Sequence, residues 1–170
     1  MRRLKIVLSV FVLLCLFGFN DEKKSLMIQQ EVPADFNFTI DSGGNDSYNS
    51  EYNSFYRKYL NEDKTIKVEL VREEKHKIYL FFKKVKFFEM PIKFVPTGRG
   101  NIKSQTPSFK KSILVYVNGK KKYVSYDNGE TNDVNDKKAK SFLDLYEMIW
   151  NILYKKKEII ELPKSDFHYK

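Results

Sequence analysis

Apolar residues in this chain follow one period, switch to another, and make the same switch a second time. Phe36, Phe38 and Ile40 alternate with Asn37 and Thr39, and Ile66, Val68 and Leu70 alternate with Lys67 and Glu69. Alternation of this kind marks strands buried on one face. From Val71 the spacing changes. Ile78, Phe81, Phe82, Val85 and Phe88 recur at helical intervals while Glu73, Lys77 and Lys84 take the other side. Glu73 and Glu74 suit the positive start of that helix, Lys83, Lys84 and Lys86 suit its end, and Pro91 stops it.

Period two then returns. Ile113 to Val117 reads as a strand, Asn118-Gly119 is a strong hairpin signal, and Tyr123, Val124 and Tyr126 lie on the return strand. Phe142, Leu145, Ile149, Ile152 and Leu153 build a second helix, widened by Leu143, Tyr146, Met148 and Trp150. Between the first and third strands, Asp41 to Asp46 has turn chemistry. Tyr48, Tyr52, Phe55, Tyr56 and Tyr59 are expected to form a single second strand. The predicted order is βββαββα. Hairpins make the sheet antiparallel, with about five strands, and two amphipathic helices should cover one face. That α+β layout leaves the other face, with its tyrosines, partly open.

The chain has 170 residues, which suits one domain. High charge can signal disorder, but 14 Phe and 11 Tyr argue for a packed core. The expected organisation is a signal peptide at 1–19, a polar tether at 20–34 ending near Pro33, and a single α+β domain at 35–170.

The signal is read from its charge and length. Arg2, Arg3 and Lys5 precede an uncharged apolar run from Ile6 to Phe19. That run is shorter than the roughly 20 apolar residues of a spanning helix and suits a secretory signal. The protein is therefore expected to be exported, to the periplasm, the cell envelope or the extracellular space. Three fates of the N-terminus stay open: cleavage after the small residue Gly18, acylation of Cys15, or retention as a short anchor. A membrane association is expected only through an uncleaved or lipidated N-terminus.

Cys15 is the single cysteine and lies within that segment, so the rest of the chain has no disulfide, thiol nucleophile or cysteine metal site. Formal net charge is +9, but beyond the signal the only arginines are Arg57, Arg72 and Arg99. Lysine is a solvated point charge, whereas arginine recognises phosphate in bidentate fashion. A soluble lysine-rich surface is the simpler reading, and no nucleic-acid partner is expected.

Few residues point to chemistry. His76 falls on the charged side of the first helix and His168 in the tail, so neither begins a zinc site or a triad. No catalytic residue and no cofactor is expected. The Asn/Asp-rich segment from Asp127 to Asp136 offers oxygen ligands without matching an EF-hand. Thr97-Gly98-Arg99-Gly100-Asn101-Ile102-Lys103-Ser104 lacks the glycine that a P-loop needs before its lysine. Its length still marks the loop, because long loops are often functional.

The combination resembles a group of small bacterial exported, lipoprotein-like α+β proteins without an assigned activity. It rests on Phe36-Asn37-Phe38-Thr39 with glycines after it, Thr65–Leu70 leading into an acidic helix start, and Ile78-Tyr79. Phe87-Phe88 with Pro91, the hairpin, the helix from Phe142 and Leu162-Pro163 complete it. One departure is Val71-Arg72, where such helices open with Ser, Thr or Asp. The resemblance implies the order of elements and lends no catalytic residues.

The functional expectation is a non-enzymatic binding module whose partner is an envelope or secreted protein. Its candidate interaction surface is Tyr48, Tyr52, Tyr56 and Arg99, because tyrosine joins an apolar ring to a polar tip. The alternative is a small-molecule or calcium-binding domain using loops 96–111 and 127–138.

Overall fold

The computed structural model describes residues 31–94, 110–127 and 139–167. They build an α+β fold on a seven-stranded sheet of order β4-β3-β2-β1-β6-β7-β5. The strands are β1 Asn37–Asp41, β2 Asp46–Asn49, β3 Ser54–Arg57, β4 Lys64–Lys67, β5 Lys93–Phe94, β6 Lys110–Val117 and β7 Lys120–Asp127. The helices are α1 Arg72–Lys84, α2 Lys140–Leu153 and the short α3 Lys157–Ile160, with a 3-10 turn at Phe87–Glu89.

Strict alternation carries β1 into the centre of the sheet. Phe36, Phe38 and Ile40 are each at most 1% exposed. β1 pairs antiparallel with β2 on one side and β6 on the other. The β6–β7 hairpin turns on Asn118 and Gly119, both at positive φ, the backbone that a two-residue hairpin loop requires. Asp35 accepts the Gly119 N–H at 2.8 Å and so ties this turn to the start of β1.

Three expectations are corrected. The run Tyr48–Tyr59 is not one strand but the antiparallel pair β2 and β3, turning through Ser50–Asn53 with Asn53 at φ 52°. The sheet is mixed, because β5 pairs parallel with β7 at the edge. Among the described residues the sheet has seven strands rather than about five, and three helices are present rather than two. Two smaller differences follow from local geometry. β4 ends at Lys67, before Val68 and Leu70. α1 ends at Lys84, because Lys86 adopts a left-handed conformation that breaks it before Phe88.

α1 lacks a side-chain N-cap, as Val71 implies, and Glu74 takes up the deficit by accepting the Val71 N–H at 2.9 Å. Glu74 also receives Lys156 Nζ at 2.5 Å, which fastens the start of α3 to that of α1.

The two longer helices pack on the face that carries Phe38, Tyr48 and Phe55. Phe82 of α1 meets Phe36 and Phe38, Trp150 of α2 meets Phe55, and Phe142 meets Phe94. Both outer strands suit edges, since β4 is charged and β5 is very short. Among the described residues no helix is long and apolar enough to cross a membrane.

Candidate interaction face

Residues that alternate with the core positions point away from α1 and α2. Register aligns them in rows across the strands. One row runs Thr65, Tyr56, Ser47, Asp41, Ser112, Ser125 and Lys93; the next runs Lys67, Ser54, Asn49, Thr39, Leu114 and Tyr123. Asn37, Tyr116 and Lys121 begin a third. No described helix lies on this face. Its middle is built of Ser, Thr, Asn, Leu and Tyr together with two charges, Asp41 of β1 and Lys110 of β6, while Lys67, Lys93 and Lys121 stand toward its margins.

Two of its tyrosines are held in place by different means. The Tyr56 hydroxyl donates to Asp63, whose other oxygen accepts the Tyr59 N–H at 3.0 Å. The hydrogen bond to Asp63 pushes the Tyr56 phenol up to about 12 and draws the Asp63 carboxyl below its ordinary range.

Tyr123 behaves oppositely. Ser112 and Ser125 are paired across β6 and β7, and these small side chains leave room for Lys110 and Tyr123 to lie over them. Ser125 is 1% exposed, and Lys110 Nζ stands 5.2 Å from the Tyr123 ring centroid. Partial burial by itself would raise the Tyr123 phenol. Hydrogen bonds with Lys110, Ser112 and Ser125, together with the charge of the ammonium, outweigh it and hold the phenol below its ordinary value.

The residues expected to form the contact surface separate in the structure. Tyr48 is a core residue: it is 1% exposed, stands opposite Ile40, and donates its hydroxyl to the Val68 carbonyl at 3.0 Å. Strand alternation puts it on the helix face, so its assignment to a contact surface is corrected. Tyr52 is 70% exposed at the β2–β3 turn, and Tyr56 lies on the open face. Arg99 lies outside the described residues. So do the proposed ligand loops 96–111 and 127–138, apart from Lys110, Lys111 and Asp127.

Sequence reasoning missed Tyr116 and Tyr123 as surface residues. The signal was there, because both alternate with core positions: Tyr116 with Val115 and Val117, Tyr123 with Val124. Among the described residues no cluster of three or more His, Cys, Asp or Glu side chains could hold a metal ion. Comparison with protein-family models, with curated proteins and with solved structures finds no match to this chain.

Proposed function

We propose that the chain is an exported, non-enzymatic domain that binds an envelope or secreted protein through the open face of its sheet. One observation carries this reading. The face that no described helix covers sets Tyr56, Tyr116 and Tyr123 among serine, threonine and asparagine, with Asp41 and Lys110 as charges near its centre and Lys67, Lys93 and Lys121 toward the margins. Interfaces are enriched in tyrosine, and small polar residues around rigid rings adapt their hydrogen bonds to a partner. The tie from Tyr56 to Asp63 and the packing of Tyr123 over two serines lower the ordering cost of binding. Lysines around the margin suit a partner with an acidic rim. Export rests on the basic and then apolar pattern of residues 1–19.

The test compares two tagged full chains in crosslinked cells that produce them. One is the parent, and the other carries Tyr56→Ala, Tyr116→Ala and Tyr123→Ala together. The expected result is one saturable envelope or secreted protein, captured by the parent and lost by the triple variant. Capture that is equal in both chains, while Lys77→Ala on the helix side abolishes it, would move the interface off this face.

A further inference from the structure

On the opposite side of the sheet, the end of α1 and the β6–β7 hairpin enclose a groove of about 560 Å³. That is the size of a small-molecule site. Its floor is aromatic and aliphatic. Phe82 and Phe87 meet edge to face at 4.9 Å, Val115 is fully buried, and Tyr79 forms a wall. Phe88, 38% exposed, stands at the mouth.

The rim carries three lysines against one acid, Glu89, and is assembled from separate elements. Lys83 comes from the last turn of α1, Lys86 from just beyond it, and Lys120 from the hairpin across the groove. Of these, only Lys86 has an acidic partner among the described residues, Glu89 at 3.5 Å. Complementing the helix dipole accounts for Lys83. It does not account for Lys120. Lys86, at φ 52° and ψ 49°, is the left-handed residue that ends α1, its N–H donating to the Lys83 carbonyl at 3.0 Å.

We propose that this groove binds a single-chain anionic amphiphile, a long-chain fatty-acid carboxylate, with its tail along Tyr79, Phe82 and Phe88 and its head among Lys83, Lys86 and Lys120. The charge asymmetry selects a carboxylate over a neutral or cationic head. The accessible apolar lining is narrow: Phe82, Phe87 and Val115 are each under 5% exposed, so a tail meets chiefly Phe88 and the edges of Tyr79 and Phe82. That strip suits one slender chain rather than a flat bilayer or a broad peptide surface. The site is independent of the open face, so either proposal can fail alone.

The experiment titrates the full chain, in detergent-free buffer, with dansyl-undecanoic acid and then displaces the probe with dodecanoate. Saturable binding and competition by dodecanoate are expected, with dodecanol and dodecyltrimethylammonium competing far less. Joint Lys83→Gln and Lys120→Gln substitution should weaken binding by about tenfold or more. Lys86→Gly, which keeps the backbone conformation and removes the charge, should weaken it in the same direction. Binding that survives all three substitutions lies elsewhere and overturns the proposal. So does equal competition by dodecanol, or binding to phosphatidylglycerol vesicles without binding to the monomeric carboxylate.

Discussion

Asp46 and Arg57 face each other across β2 and β3 and join as a two-pronged pair, with Arg57 Nε donating to Oδ1 at 2.9 Å and Nη2 to Oδ2 at 2.8 Å. Their side chains are 8% and 11% exposed, on the helix side of the sheet. Tyr154, just past α2, donates to Asp46 Oδ2 at 3.0 Å, and Arg57 Nη1 reaches the Pro163 carbonyl at 3.2 Å. A charged pair on one hairpin thus anchors the C-terminal end of the fold. Removing one partner leaves the other buried and uncompensated, so Asp46→Ala should destabilise the protein by about 3–5 kcal/mol in urea unfolding. Replacing both with apolar residues, Asp46→Leu with Arg57→Met, should restore much of that loss. If the double variant is as unstable as the single one, the pair contributes more than mutual neutralisation.

Glycines at two turns should respond differently to the same change. Gly43 has φ +74°, and a Cβ there would fall 2.5–2.8 Å from the Lys110 backbone. Gly119 has φ +70° with open space around it. Gly119→Ala should cost only the left-handed conformation, about 1–2 kcal/mol. Gly43→Ala adds a clash that only movement of the β1–β2 turn against β6 can relieve. Its loss of thermal stability should clearly exceed that of Gly119→Ala, and equal losses would mean that the turn yields freely.

Alkaline pH should unfold the protein in a defined direction. Burial is the main force raising the phenols of Tyr48, Tyr146 and Tyr154 above their ordinary value, and Tyr56 is raised by its hydrogen bond to Asp63. The native state keeps protons that the unfolded chain releases. The stability from these groups is therefore fully present below about pH 10 and is lost as pH rises through their native values. Tyr123 works the other way: its contribution is full above about pH 10 and is lost as pH falls through its lowered native value. Four groups oppose one, so urea midpoints should fall between pH 10 and 12. In phenolate absorbance, Tyr123→Phe should remove an early-titrating component, and Lys110→Gln should delay it.

How far the sequence exposes this architecture depends on how local its signals are. β1 is legible because Phe36, Phe38 and Ile40 alternate without interruption, and the β6–β7 hairpin because Asn118-Gly119 suits only a tight turn. The β2–β3 turn was hidden. Ser50-Glu51-Tyr52-Asn53 contains neither glycine nor proline, and Tyr52 extends the aromatic pattern through the bend. Its signals were two asparagines: Asn49, whose Oδ1 accepts the Glu51 and Tyr52 N–H groups, and Asn53, which tolerates positive φ. Missing that turn also placed Tyr48 on the surface, because side-chain parity after a bend depends on where the bend falls.

Non-local pairing left weaker traces still. β5 is two residues long and is held by the Ser125 N–H donating to the Ile92 carbonyl at 2.9 Å, a contact across more than thirty positions of sequence. Nothing near Pro91 announces it. The open face was foreseen in kind, as a tyrosine-bearing side of the sheet. Which tyrosines it holds depends on the register of β6 against β1 and β7, which periodicity within one strand does not specify.

Trp150 offers a direct probe of how α2 docks on the β2–β3 hairpin. It is the single tryptophan, 5% exposed, stacked on Tyr154 at 5.2 Å with rings inclined by 17° and edge-on to Phe55 at 6.5 Å. Its fluorescence should be blue-shifted and weakly quenched by acrylamide in the folded protein. Phe55 is fully buried, so Phe55→Ala should cost about 3–5 kcal/mol and open space beside the indole. Quenching should then rise under conditions where circular dichroism still reports a folded chain. Asp46→Ala should produce a similar rise, because it frees Tyr154, the residue stacked on the indole. If the two variants leave quenching unchanged while both lose stability, α2 is held on the sheet by its other contacts, through Phe142 and Leu145, and the charged pair acts only on the hairpin.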